Sequence, residues 1–122
     1  MAARWWASHM RAQDLSQTEV AAFERAVKAG ILARCEGHWY PSEPLRGSGF
    51  RSILNDMTTD SILIEAAHAV RIRDIRMRLP QAVVWVNPGS VRAKIEDERT
   101  TEDVYVSSSC SNVSNAGTEE DL

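Results

Sequence analysis

Val20, Phe23, Val27 and Ile31 recur at intervals of three and four residues, so one side of a helix collects them while Glu24, Arg25 and Lys28 fall on the other. Ser16-Gln17-Thr18-Glu19, just before this stripe, has the form of a capping box. In that motif the serine side chain takes up a free backbone N–H and the glutamate reaches back. The spacing predicts a helix from Ser16, weakened at Gly30 and stopped at Gly37. A second stripe, Ile62, Ala66 and Val70, follows Asp60, which is placed to cap it. Between these helices, Phe50 to Leu54 reads as a strand and Asn55 to Thr59 as polar loop. Further on, Ala82 to Val86 is rich in β-branched residues, and Asn87-Pro88-Gly89-Ser90 carries Pro and Gly at the central positions of a type II turn. Val91 to Ile95 then alternates, with Val91, Ala93 and Ile95 on one face and Arg92 and Lys94 on the other. Val104-Tyr105-Val106 supplies a last short strand. The prediction is an α+β fold: one small domain with helices packed on a small antiparallel sheet.

Two segments lie outside these patterns. Met1 to Gln13 holds two adjacent tryptophans without a clean period, and Ser107 to Leu122 is polar, Ser-rich and acidic, the composition of a disordered tail. The expected organisation is an atypical N-terminal segment at 1–13, a domain at 14–106 and a tail at 107–122.

Prolines, glycines and aromatics are concentrated in two islands. The first runs from Gly37 to Arg51. Its prolines bias Tyr40 and Glu43 toward extended geometry, while Gly47 and Gly49 allow backbone angles that other residues avoid. The second is Leu79-Pro80-Gln81-Ala82-Val83-Val84-Trp85-Val86-Asn87-Pro88-Gly89-Ser90-Val91. Together they resemble the two signature boxes of the BTG/Tob antiproliferative family. His38-Trp39-Tyr40-Pro41, Pro44 and Gly47-Ser48-Gly49-Phe50-Arg51 match the first box, and Leu79-Pro80, Trp85-Val86-Asn87-Pro88 and Val91 match the second. The resemblance runs from about Val20 to Val106.

The resemblance implies a non-enzymatic adaptor that contacts the catalytic deadenylase subunit of the CCR-NOT complex, influencing mRNA deadenylation and cell proliferation. It needs no cofactor of its own. The residues carried over to the partner surface are Phe50 and Trp85, with Asn87 standing where the family usually has Asp and Phe50 where it usually has Tyr. Packing survives both changes, so weakened binding is expected. His38, Trp39, Tyr40 and Pro41 are read as structural anchors of the loop. Resembling proteins begin with a long apolar helix. Here Trp5-Trp6-Ala7 is a stub in its place, and the expectation is that Trp5 and Trp6 dock into the vacated groove.

Composition narrows the alternatives. A chain of 122 residues supports one core, and 43% hydrophobic with 25% charged residues is ordinary for a globular protein. Its apolar runs are too short to span a bilayer and it opens without a secretion signal, which makes cytoplasm and nucleus the expected compartments. Cys35 and Cys110 lie in different settings, arguing against a structural disulfide, and Cys35 with His38 is a C-x-x-H half-site without a second ligand pair. His68, alone on the second helix, reads as a surface residue.

The net charge of -3 divides into -7 from Glu96 onward and +4 before it. Arg71, Arg73, Arg76 and Arg78 form the basic cluster of the body. Direct RNA binding through them is the alternative function, set against a solvated face because no aromatic stacking platform accompanies them. A degenerate family member with weak binding is a further alternative. No catalytic constellation or phosphate-cradling motif is present in the sequence.

Overall fold

Residues 1–96 and 100–106 are described by the computed structural model. In chain order the elements are α1 (Ala2–His9), α2 (Gln17–Cys35), α3 (Ser48–Arg51), β1 (Ile53–Asn55), α4 (Ser61–Ala69), α5 (Ile75–Arg78), β2 (Ala82–Asn87), β3 (Ser90–Ile95) and β4 (Glu102–Val106). The strands form one antiparallel sheet in the order β1-β2-β3-β4. The α+β class is therefore as expected. The tail predicted at 107–122 lies outside the described residues, as does Cys110.

α2 begins where the capping box places it. Ser16 Oγ accepts from the Glu19 amide at 3.1 Å, and Glu19 returns a carboxylate oxygen to the Ser16 amide at 2.8 Å. Phe23, Val27, Ile31 and Cys35 carry its buried stripe into the core. α2 crosses α4 at Gly30, where an added Cβ would stand 3.0 Å from Ile62 Cγ2, so hydrogen is the only side chain that leaves this contact undisturbed. Asp60 accepts from the Ile62 amide at 2.8 Å and so caps α4. Its carboxylate also grips Arg34 of α2 through two contacts of 2.7 Å, which locks the start of one helix to the end of the other.

The sheet turns Ile53, Ala82, Val84, Val86, Val91 and Ala93 inward as buried residues. Leu54, Val83, Trp85, Arg92 and Lys94 take the intervening positions, partly or fully exposed. Alternation fixes this division, because a shift of one residue would exchange the two faces. Gly89 takes φ 79°, the conformation that the type II turn demands at its second central position.

One local expectation holds and two give way to different structure. The N-terminal stub forms the short helix α1 and its tryptophans dock as expected, with Trp6 fully buried and Trp5 nearly so, their rings meeting edge to face at 5.1 Å. α1 packs on α2. Eight residues are too few to be helical alone in water, so packing of the indoles sustains the turn and no periodicity long enough to read is left in the sequence. Phe50 and Arg51, expected in a strand, belong instead to α3, and the strand starts at Ile53. Gly47 at φ 73° reverses the chain before α3, which turns Arg51 into the interior. Asn55, expected at the head of a polar loop, is buried as the last residue of β1. It donates to the carbonyls of Arg76, Leu79 and Pro80 and accepts from Thr59 Oγ1 at 2.7 Å.

Candidate partner-binding surface

The Gly37–Gly47 loop is a succession of reversals. The amides of Glu43, Arg46 and Ser48 donate to the carbonyls of Tyr40, Glu43 and Leu45, three positions back in each case. Pro41 and Pro44 occupy the second position of the first two turns, where their fixed φ suits the backbone. Tyr40 adds a hydroxyl donated to the Gly37 carbonyl at 3.3 Å, with the Arg46 guanidinium 4.2 Å above its ring. Trp39 packs against the core below the Arg51 guanidinium, 5.5 Å away.

Arg51 is the least expected residue of the region. It is 1% exposed, and burial pushes its guanidinium down from the usual arginine range. Its side chain donates to the carbonyls of Val86 (2.8 Å), His38 (2.7 Å), Arg46 (2.6 Å) and Pro44 (3.0 Å), and to Asn87 Oδ1 (2.9 Å). A guanidinium has five N–H groups, and each is matched here. None of the five acceptors is charged. Asn87 is accordingly turned inward and buried, and the residue carried over to the partner surface has its side chain engaged within the protein.

Trp85 stands on the outer face of the sheet between two fully buried valines, Val84 and Val86. It lines a cleft of about 390 Å³ between the loop and the β2–β3 turn. Pro44, Leu45 and Ser48 form one wall, and Trp85, Asn87, Pro88 and Ser90 the other. Leu45 was not anticipated as a site residue, yet it is 76% exposed at the lip of this cleft. Phe50 is also exposed, at 54%, its ring centroid 4.3 Å from that of His38. It lines a different hollow, a groove of about 680 Å³ between α2 and α4 that includes Ala26, Ala29, Gly30 and Ala33. The two aromatics singled out from the sequence thus open onto two hollows, with α3 contributing Ser48 to one and Phe50 to the other.

The remaining candidates have structural surroundings. Cys35 is a buried thiol whose pKa burial pushes up to about 11. Among the described residues no group of three or more His, Cys, Asp or Glu is placed to hold a metal ion. His68 is on the exposed side of α4. In the basic cluster Arg71, Arg73 and Arg76 are exposed, whereas Arg78 binds both carboxylate oxygens of Asp14 at 2.8 Å and the Arg11 carbonyl at 2.9 Å. Arg78 thereby ties α5 to the α1–α2 connection.

The BTG family model matches residues 1–105, a span that takes in α1 as well as both Pro/Gly islands. The chain belongs to the BTG family. Among curated relatives, a BTG family protein of Dictyostelium discoideum is 33% identical over 95 residues, covering 75% of this chain and 22% of that protein. Protein Tob1 of Rattus norvegicus is 33% identical over 101 residues, with 80% and 28% covered. Protein BTG2 of the same species is 26% identical over 87 residues, with 69% and 55% covered. This BTG-family chain therefore spans about a quarter of the length of its Dictyostelium and Tob1 relatives. The BTG/Tob domain of C. elegans FOG-3 has the same fold, with a TM-score of 0.69 at 15% identity over 85% of this chain and 86% of that one.

Proposed function

We propose that this BTG-family chain is a non-enzymatic antiproliferative regulator that works by binding, and that its partner is the catalytic deadenylase subunit of the CCR-NOT complex. The observation that carries the reading is the placement of Trp85. A large aromatic is held on the outer face of the sheet by flanking residues that are themselves core, beside a cleft with Leu45 exposed at its lip. Aromatic anchors of this kind bury much area at small entropic cost, and a few of them usually dominate an interface. Phe50, exposed on the neighbouring groove, is the second anchor. Asn87 serves the surface indirectly, through Arg51.

Direct RNA binding by the arginine cluster has less support. With Arg78 committed to Asp14, three exposed arginines remain, and the sequence between Phe50 and Trp85 places no aromatic residue among them. The deciding experiment is a titration of the purified chain with the deadenylase subunit, followed by the same titration on Trp85→Ala. Saturable binding that weakens in the variant is expected. Absence of binding at micromolar protein removes the proposed partner, and an RNA shift that fades steeply with added salt would favour the arginine cluster instead.

A further inference from the structure

The cleft beside Trp85 has two walls that come from distant parts of the chain, and one side chain touches both. We propose that Arg51, with Asn87 as its side-chain acceptor, is the positioning residue of this cleft: its guanidinium sets the spacing between the loop wall and the strand wall before any partner arrives. The inference rests on the reading of this cleft as a binding surface and adds how that surface is kept in shape.

On the strand side the guanidinium holds the Val86 carbonyl and Asn87 Oδ1, and Asn87 itself lines the cleft next to Trp85. On the loop side it holds the carbonyls of His38, Pro44 and Arg46, which bracket the wall formed by Pro44 and Leu45. All five donors are used and the side chain is almost wholly enclosed, so Arg51 has nothing left to offer a ligand. Its effect on recognition is through the walls.

Trp39 on the core and α3 on β2 fix the two ends of the loop, and between them burial does little. Residues 41–47 are all exposed, so burial contributes little to their order. The turn bonds at Glu43, Arg46 and Ser48 are local and shape the loop without relating it to β2. Gly47 completes the cradle. It sits at φ 73°, and a Cβ there would come within 2.8 Å of Arg51 Nη1. A planar fork with donors in fixed directions suits this task, because it constrains orientation as well as distance.

Replacing Arg51 itself risks unfolding the domain, so the test removes its side-chain acceptor. Asn87→Ala is compared with the unmodified chain, with Asn87→Asp and with Val27→Ala, a core destabilisation within α2. Hydrogen exchange is read at the amides of Glu43, Arg46 and Ser48, together with affinity for the deadenylase subunit. The expected result for Asn87→Ala is roughly tenfold or faster exchange at those three amides, unchanged exchange within α2 and α4, and roughly tenfold weaker binding. Asn87→Asp should restore both, and Val27→Ala should lower the melting temperature without selective loosening of the loop. Unchanged loop exchange in Asn87→Ala, or loosening spread evenly over the domain, overturns the inference. Selective loosening in a chain that ignores the deadenylase subunit supports the positioning role and removes the proposed partner instead.

Discussion

Trp85 and Arg92 oppose each other across the β2–β3 pair on the outer face of the sheet, and the arginine is held to one side by Asp103, 3.0 Å from its Nε. The indole is thereby a member of the surface while its sequence neighbours form the core. Trp85→Ala is expected to stay folded and to lose roughly 2 kcal/mol of partner affinity, on the order of 30-fold in Kd. Melting and titration of one variant check both halves. An unfolded variant would make Trp85 a core residue, and undiminished binding would remove it from the site.

Asn87→Asp should stabilise the domain. A carboxylate at this position gives the buried Arg51 a charged acceptor in place of a neutral one, at a contact now 2.9 Å long. A gain of about 1 kcal/mol would raise the melting temperature by roughly 4–8 °C. Pairing would depress the folded pKa of the new carboxyl, so the gain is present above about pH 4 and is lost as pH falls through that depressed value. A melting temperature unchanged or lowered at neutral pH would contradict this account of the buried charge.

Acid should weaken the Asp14–Arg78 tie. The hydrogen bond from Arg78 lowers the Asp14 pKa from 3.8 to about 2. Since the folded value lies below the unfolded one, the contribution is complete above about pH 4 and fades as the pH drops toward 2. The melting curves of the unmodified chain and Asp14→Asn should differ at neutral pH and converge in that window. A separation that stays constant into acid would show that the difference does not come from the charge of this carboxylate.

Trp6→Ala should be among the most damaging core changes, by about 3–5 kcal/mol, because the side chain is fully buried and leaves a large cavity. Trp6→Phe is expected to cost much less. The indole Nε1 is enclosed without an acceptor among the described residues, so phenylalanine gives up volume but no hydrogen bond. Deleting Met1 to Gln13 should lower the melting temperature as well. Equal losses for the two Trp6 substitutions would show that volume is not what matters at this position.

Cys35 should resist alkylation in the native chain. With a pKa of about 11, its thiolate fraction at pH 8 is on the order of one in a thousand, and the group is buried besides. Mass spectrometry that resolves the Cys35 peptide should find modification only as denaturant unfolds the domain. Rapid labelling under native conditions would show that the end of α2 opens freely.

What the sequence revealed, and what it withheld, follows the range of the forces involved. α2 was legible because nineteen residues repeat one period behind a capping box, and the β2–β3 turn because Pro88 and Gly89 meet a strict local demand. β3 declared its faces through simple alternation. α1 was legible only as a stub, through the family resemblance, because it is too short for a period and is held by contacts with α2, and α3 was not legible because it depends on where the Arg51 guanidinium must go. The site divides in the same way. Trp85 and Phe50 stand out as aromatics within a motif, but the inward turns of Arg51 and Asn87 bring together residues 36 positions apart, and the Val86 carbonyl that Arg51 also holds is 35 away. No local pattern encodes such meetings.

Four of the five oxygens that hold Arg51 belong to the main chain, at His38, Pro44, Arg46 and Val86. A main-chain oxygen is the same whichever side chain its residue carries. The outline of the loop is therefore uncoupled from its lettering, so Ser42, Glu43 and Leu45 can be rewritten while Arg51 and Gly47 keep the backbone in place. In a library randomised at those three exposed positions, most members should fold, and what they vary is the identity of the partner that the cleft admits.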